Sequence, residues 1–188
     1  ILVKLADRTH NMRTLGHLPH ERQVDIAQET LDIYAPLAHR IGVYWIKSEL
    51  EDNALRFLHP EVYYQLKRSV AKKKAEREKF TKEVLSVLAK RMAEGGLEAE
   101  VTGRPKHFYS IYQKMQAQNL LYDQIFDLVA FRVVVDSVSE CYEALGVAHA
   151  NWKPVSGRFK DYIALPKANG YQSLHTTVIG PHGERIEI

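Results

Sequence analysis

Two adjacent glycines, Gly95 and Gly96, mark the point where the hydrophobic pattern of the chain changes period. Before them, apolar residues recur every three to four positions, the spacing of one face of an α-helix. After them, short runs of β-branched and aromatic residues alternate with shorter helical stretches, as expected for strands packed against helices. A chain with this switch is predicted to be α+β, with a helical segment first and a mixed sheet second.

The helical part divides at its breakers. Leu2, Leu5, Met12 and Leu15 stand near helical spacing over residues 2–15. A second helix is expected over about 21–39, kinked at Pro36, and a third over about 43–57, whose apolar positions are Trp45, Ile46, Leu50, Leu55 and Phe57. Gly42 separates them as a C′ residue, and His39 and Arg40 suit the negative end of the second helix. From His59-Pro60 a long helix runs to about Met92, and its centre, KKKAEREKFTKE, reads as a solvated face. Beyond the glycines, strands are expected at 97–102, 126–136, 173–180 and 184–188, and helices at 107–118 and 139–150. The strand at Phe126–Asp136 is the most apolar and is expected to be central.

The totals exclude several classes. A chain of 188 residues with 45% hydrophobic content can bury a core as one large domain or two small ones. Its net charge of +3 advertises neither nucleic acid nor a membrane surface. Cys141 is the only cysteine, so an internal disulfide is impossible and a reducing compartment is expected. No apolar run approaches the length of a membrane span, and the start at Ile1 has no signal-peptide layout, so a soluble cytoplasmic fragment is expected.

Several stretches carry residues suited to phosphate chemistry. Residues 156–176, SGRFKDYIALPKANGYQSLHT, place Arg158, Lys160, Lys167 and His175 around the Asn169-Gly170 turn, with Tyr162 and Tyr171 interleaved. A flat ring for a base and cations for phosphates outline a nucleotide site, although a solvated basic loop beside a hairpin explains the same residues. Gly103 and Pro105 are expected to form a turn that sets Arg104 and Lys106 at the N-terminus of the next helix, where acids are normally preferred. Lys114 follows Ser110 by four residues and Lys106 by eight, so helical spacing permits a shared face. Asp127 opens the central strand and could offer oxygens to Mg²⁺ or face water. Glu187, between Ile186 and Ile188, either alternates to solvent or points into a site. Arg132 alternates away from Asp127 and is left out of the site. Asp7 and Asn11, four apart, are either a metal-site pair or a solvated one.

The segments RFKDYIALPKANGYQSLHTT, GRPKHFYSIYQKM at 103–115 and FDLVAFRVVV at 126–135 resemble the synthetase signature of the RelA/SpoT family, the enzymes that make and break the alarmones ppGpp and pppGpp. KLADRTHNMRTL at 4–15 resembles the close of that family's hydrolase domain. The resemblance implies a nucleotidyltransferase-like mixed β-sheet flanked by helices. It implies a helical remnant of the HD-type hydrolase over 1–58 and a C-terminally truncated synthetase domain over 59–188. The implied reaction is transfer of a pyrophosphoryl group from ATP to the ribose 3′-hydroxyl of GDP or GTP. Asp127 would hold Mg²⁺ and Glu187 would activate the hydroxyl. Arg104 would stack on adenine, with Lys106, Ser110 and Lys114 along the triphosphate. Tyr171 would stack on guanine, with Lys167, Asn169 and His175 beside the acceptor and Arg158 and Lys160 as further phosphate contacts. Asp7 would be a hydrolase metal ligand and Asn11 its neighbour. The other hydrolase ligands belong to a His-Asp pattern, and none of the nine histidines is followed by Asp, so the Mn²⁺ site is expected to be incomplete. The order Arg-x-Lys-Asp at 158–161 is that of bifunctional members, whose ribosome contacts would lie in C-terminal regions outside this chain. Weak activity, no membrane association and no direct nucleic-acid binding are the accompanying expectations.

Overall fold

The structure is a computed structural model that describes residues 1–72, 74–121 and 129–188. It separates into two compact units, Ile1–Lys72 with His107–Tyr122, and Lys73–Lys106 with Asp123–Ile188. The first is helical. The second holds every strand among the described residues.

In the first unit, α1 (Leu2–Thr14), α2 (His20–Glu29), α3 (Ala35–Arg40), α4 (Tyr44–Leu58), α5 (Pro60–Lys72) and α7 (Phe108–Gln118) are the α-helices. The core joins Leu5, Met12 and Leu15 to Ala27, Ala35, Ala38, Ile46, Leu50 and Ala54. Four of these nine are alanines, small enough to let the helices approach closely. The helix expected over about 21–39 is interrupted just before Pro36. Pro36 has no N–H, and its ring would clash with the carbonyl four residues back. The chain absorbs this with a π turn at Thr30–Tyr34, in which the Ala35 amide reaches the Thr30 carbonyl, and the φ and ψ of Ala35 stay helical. Buried Thr30 also donates its hydroxyl to Ile26 O at 2.6 Å. Trp45, expected on an apolar face, is 65% exposed, while Glu51 is buried.

In the second unit, α6 (Lys74–Glu94) and α8 (Val138–Asn151) pack against a five-stranded sheet in the order β1-β2-β7-β6-β3. These strands are β1 (Glu100–Pro105), β2 (Val129–Val134), β3 (Lys153–Pro154), β6 (Thr177–Ile179) and β7 (Arg185–Glu187). β2 pairs parallel with β7, and the other pairs are antiparallel, so the sheet is mixed as expected. The strand expected to be central is second in order, and β7 takes the middle place. A separate hairpin joins β4 (Lys160–Asp161) to β5 (Leu174–His175). The single strand expected at 173–180 is therefore two, because Leu174–His175 pairs in the hairpin and Thr177–Ile179 in the sheet.

The turn expected at Gly103 and Pro105 is instead part of β1, with Gly103 opposite Phe131 and Pro105 opposite Val129. Proline is tolerated there because β1 is an edge strand. Glycine serves space rather than a turn, since a Cβ at Gly103 would lie 2.8 Å from Thr81 Cγ2 on α6. The long helix expected from Pro60 to Met92 is described as α5 and α6, on either side of residue 73 and in different units. Val129, Phe131, Val178 and Ile186 share one sheet face and form a core with Val84, Leu88 and Met92 of α6 and Ala144 of α8.

The β6–β7 turn is closed by a backbone bond from Gly180 N to Glu184 O at 2.8 Å, and a Cβ at Gly180 would fall 1.9 Å from Ile186 Cδ1 in this core. Gly180→Ala is therefore expected to lose about 1–3 kcal/mol of stability through overpacking. Urea denaturation of the variant against wild type checks it; equal midpoints would show that Ile186 can move aside freely.

Candidate active site

The register of the sheet decides which side chains share its second face. Glu187 on β7 stands opposite Ala130 on β2 and Thr177 on β6, and Ala130 stands opposite Arg104 on β1. Directly paired residues point to the same side of a sheet. Arg104, Glu187 and, two residues from Ala130, Arg132 therefore face away from the apolar core, and both arginines are exposed. Lys106, just beyond β1, reaches Glu187 with Nζ 2.7 Å from Oε2. The carboxylate thus lies among cations rather than alternating into open solvent. Arg132, left out on sequence grounds, belongs to this face. The signal was its parity with Ala130, legible only once Ala130 is known to pair with Glu187.

The hairpin β4–β5 supplies the rest. Lys160 pairs with His175 in register. The loop between the strands is pinned at its tip, where Gly170 N bonds Lys167 O at 2.8 Å and Asn169 Oδ1 accepts from Tyr171 N at 3.1 Å. Gly170 has φ +77°, which glycine adopts without strain. At the base of the loop, Asp161 Oδ1 accepts from the amides of Ile163 and Ala164, and its Oδ2 accepts from the Tyr142 hydroxyl at 3.0 Å. The Ala164 amide and the other donors hold the Asp161 carboxyl below its ordinary range, which marks a structural anchor.

Within the loop, Tyr162, Tyr171 and His175 meet edge to face, with ring centroids 5.3–6.2 Å apart. The Tyr171 hydroxyl and His175 Nε2 are 2.9 Å apart. Lys167 Nζ lies 4.5 Å from the Tyr162 ring centre and 4.9 Å from that of Tyr171, within cation–π range of both. Four of the residues singled out by sequence (Lys160, Lys167, Tyr171 and His175) thus come together, and Tyr162 joins them. Arg158 is exposed just before β4. Asp127 lies outside the described residues.

Ser110 and Lys114 belong to the first unit, on α7, whereas Arg104 and Lys106 belong to the second. The expected row of Lys106, Ser110 and Lys114 on one helix face does not form, because α7 starts at Phe108 after an N-cap at His107. Nor are the first amides of α7 left for phosphate. Asp52 of α4 accepts from Tyr109 N at 2.8 Å and also bonds the Phe108 amide. Beside it, buried Glu51 is held by Lys47 at 2.6 Å and by His107 Nε2 at 2.8 Å. Burial works to raise the Glu51 carboxyl, but hydrogen bonds from His107 and Lys47 overcome it and hold it low. Burial pushes Asp52 up, against the pull of the Tyr109 amide. No sequence signal marked this pair. Asp7 and Asn11 are exposed on α1, with Asn11 Nδ2 3.4 Å from Asp7 Oδ2. Among the described residues no three His, Cys, Asp or Glu side chains are grouped to hold a metal ion, and no helix is long and apolar enough to cross a membrane.

A mixed sheet with one apolar face, and a carboxylate among cations on the other, defines an α+β domain chemically suited to phosphates. Residues 103–188 match the family model described as "Region found in RelA / SpoT proteins", and residues 1–44 match "HD domain". Over all 188 residues the chain is 56% identical to a GTP pyrophosphokinase of Myxococcus xanthus. It is 50% identical to the bifunctional (p)ppGpp synthase/hydrolase SpoT of Escherichia coli. It spans 25% and 27% of those relatives. A small alarmone synthetase of Bacillus subtilis, solved with its product pppGpp, aligns with TM-score 0.47 and 24% identity over 62% of this chain and 71% of that one. Residues 103–188 thus carry the region found in RelA and SpoT proteins.

Burial lowers the pKa of His175, with Lys167, Lys160 and Arg132 adding to the effect and Glu187 opposing it. The unfolded chain then binds more protons than the folded one at and below about pH 6.5, so stability held above that value falls as pH drops through the folded pKa. Urea denaturation at pH 7.5 and 5.5 is expected to show a smaller acid loss in His175→Gln than in wild type; identical losses would contradict it.

Proposed function

We propose that the chain carries the catalytic face of a GTP pyrophosphokinase, which transfers the β,γ-pyrophosphoryl group of ATP to the 3′-hydroxyl of GDP or GTP. The observation that carries this reading is Glu187 held by parallel pairing on a sheet face with Arg104, Arg132 and Lys106. It is supported by identity above one half to a GTP pyrophosphokinase along the whole chain.

In the reaction the ribose 3′ oxygen attacks the β-phosphorus of ATP. The bond from that phosphorus to the α,β-bridging oxygen breaks, and AMP leaves. Glu187 takes the 3′ proton as general base. Lys106, bonded to Glu187, can exchange that partner for a phosphate oxygen, which frees the carboxylate. Arg104 is assigned to adenine and Lys106 to the triphosphate. Tyr171 is assigned to the guanine face, where stacking on an aromatic ring contributes roughly 1–3 kcal/mol. Lys167, Asn169 and His175 then meet the acceptor nucleotide, with Arg158 and Lys160 as outer phosphate contacts. Asp127 would hold Mg²⁺, an ion that takes one or two carboxylates plus phosphate oxygens and, when bound, neutralises charge on the transferring group. By domain, 1–58 is assigned to the end of the hydrolase segment and its connecting helices, and 59–188 to the synthetase. The parent is read as bifunctional and cytoplasmic.

Glu187→Gln tests the assignment. Turnover is expected to fall by about two to four orders of magnitude while ATP and GDP affinities stay near wild type. Turnover retained in the variant would remove Glu187 from the chemistry. A wild-type chain that binds nucleotide without turning it over would favour a non-catalytic nucleotide- or RNA-binding role.

A further inference from the structure

The chain leaves the β4–β5 hairpin and enters the sheet at Thr176. Leu174 and His175 pair with β4, Thr177 pairs with Glu187 on β7, and Thr176 lies between them. Its amide and carbonyl both bond Ile188, each at 2.9 Å, so β7 stays paired one residue beyond Glu187. Alternation along an extended chain puts His175 and Thr177 on one face and Thr176 on the other. Thr176 is 3% exposed, and its backbone partner Ile188 packs on the apolar core. A hydroxyl buried at the edge of that core needs a hydrogen-bond partner. It finds one in His149 of α8, whose Nε2 is 2.8 Å from Thr176 Oγ1.

α8 meets the hairpin a second time. Tyr142, seven residues before His149 and so on nearly the same helix face, donates its hydroxyl to Asp161 on β4. The two bonds tie α8 to both strands of the hairpin, one at β4 and one just past β5. α8 is itself well held, since Ser137 and Glu140 form a reciprocal cap at its start and Ala144 and Ala148 are buried.

We infer that His149 is a positioning residue for the acceptor nucleotide: through Thr176 it fixes the step from hairpin to sheet, and so the placement of Tyr171 and His175 relative to Glu187. The inference rests on the proposed assignment of the hairpin to the guanine nucleotide. Every residue it uses belongs to the second unit. His149 lies on the core side of the sheet and touches no nucleotide; it acts through the strand it holds. Arg104 and Lys106 belong to the β1 edge, whose pairing with β2 does not involve Thr176. Loss of the bond therefore weakens the guanine nucleotide and spares ATP.

The test is calorimetric titration of the 188-residue chain with GDP and, separately, with a non-hydrolysable ATP analogue. His149→Ala is expected to weaken GDP about three- to tenfold, the scale of one lost hydrogen bond, with the ATP analogue within about twofold of wild type. His149→Gln, whose side-chain amide can replace Nε2 as partner to the hydroxyl, is expected to recover most of that loss. Thr176→Val removes the hydroxyl at nearly constant shape and serves as the second variant should His149→Ala fail to fold. It is expected to reproduce the loss for GDP, and adding His149→Ala to it is expected to cost no more than about twofold further. Unchanged GDP affinity in these variants, or equal loss for GDP and the ATP analogue, overturns the inference while leaving the proposed function standing. A wild-type chain that binds no GDP overturns the proposed function, and this inference with it.

Discussion

The parallel pairing of β2 with β7 is the constraint from which the candidate site follows. It is described by a single register pair, Ala130 with Glu187, yet it brings together strands more than fifty residues apart. A shift of one residue would turn Glu187 toward the core and Ile186 toward the cations. Both changes are costly: a carboxylate would lose water among Val84, Leu88 and Phe131, and a fully buried isoleucine would be exposed. The alternation Arg185-Ile186-Glu187 therefore makes the register robust, and the site inherits its geometry from the core beneath it.

The hairpin β4–β5 follows a different logic. It has only two ladder pairs, and its loop is held by an Asp161 cap, an Asn169 turn and the packing of Tyr162, Tyr171 and His175. Lys167 lies against two of these rings. Stacking a cation on aromatic faces holds it in place at small entropic expense, since the rings are already fixed by one another. His175 links the two parts of the unit, because it pairs with Lys160 and feels both Glu187 and Arg132.

In the helical unit, α4 brings the chain together: it packs on α1, α2 and α3 and presents Glu51 and Asp52 to the start of α7. Two neighbouring carboxylates, Glu51 buried and Asp52 half-buried, lose water here with opposite consequences. Glu51 faces two cationic or potentially cationic partners, and Asp52 faces chiefly amides. Charged partners outweigh desolvation where amides do not.

Local patterns sufficed for what depends on neighbours in the chain. The α+β class, the switch at Gly95-Gly96, most of the helices and the tight turn at Asn169-Gly170 follow from spacing and from the backbone preferences of glycine, proline and asparagine. The grouping of Lys160, Lys167, Tyr171 and His175 was legible for the same reason, since they sit within sixteen residues on one hairpin. Folding in three dimensions decided the rest. Whether Arg132 shares a face with Glu187, whether Gly103 turns the chain or admits Thr81, and what caps α7 all depend on partners remote in sequence. Periodicity records which side of an element is apolar, but not which distant carboxylate, amide or methyl group comes to lie against it.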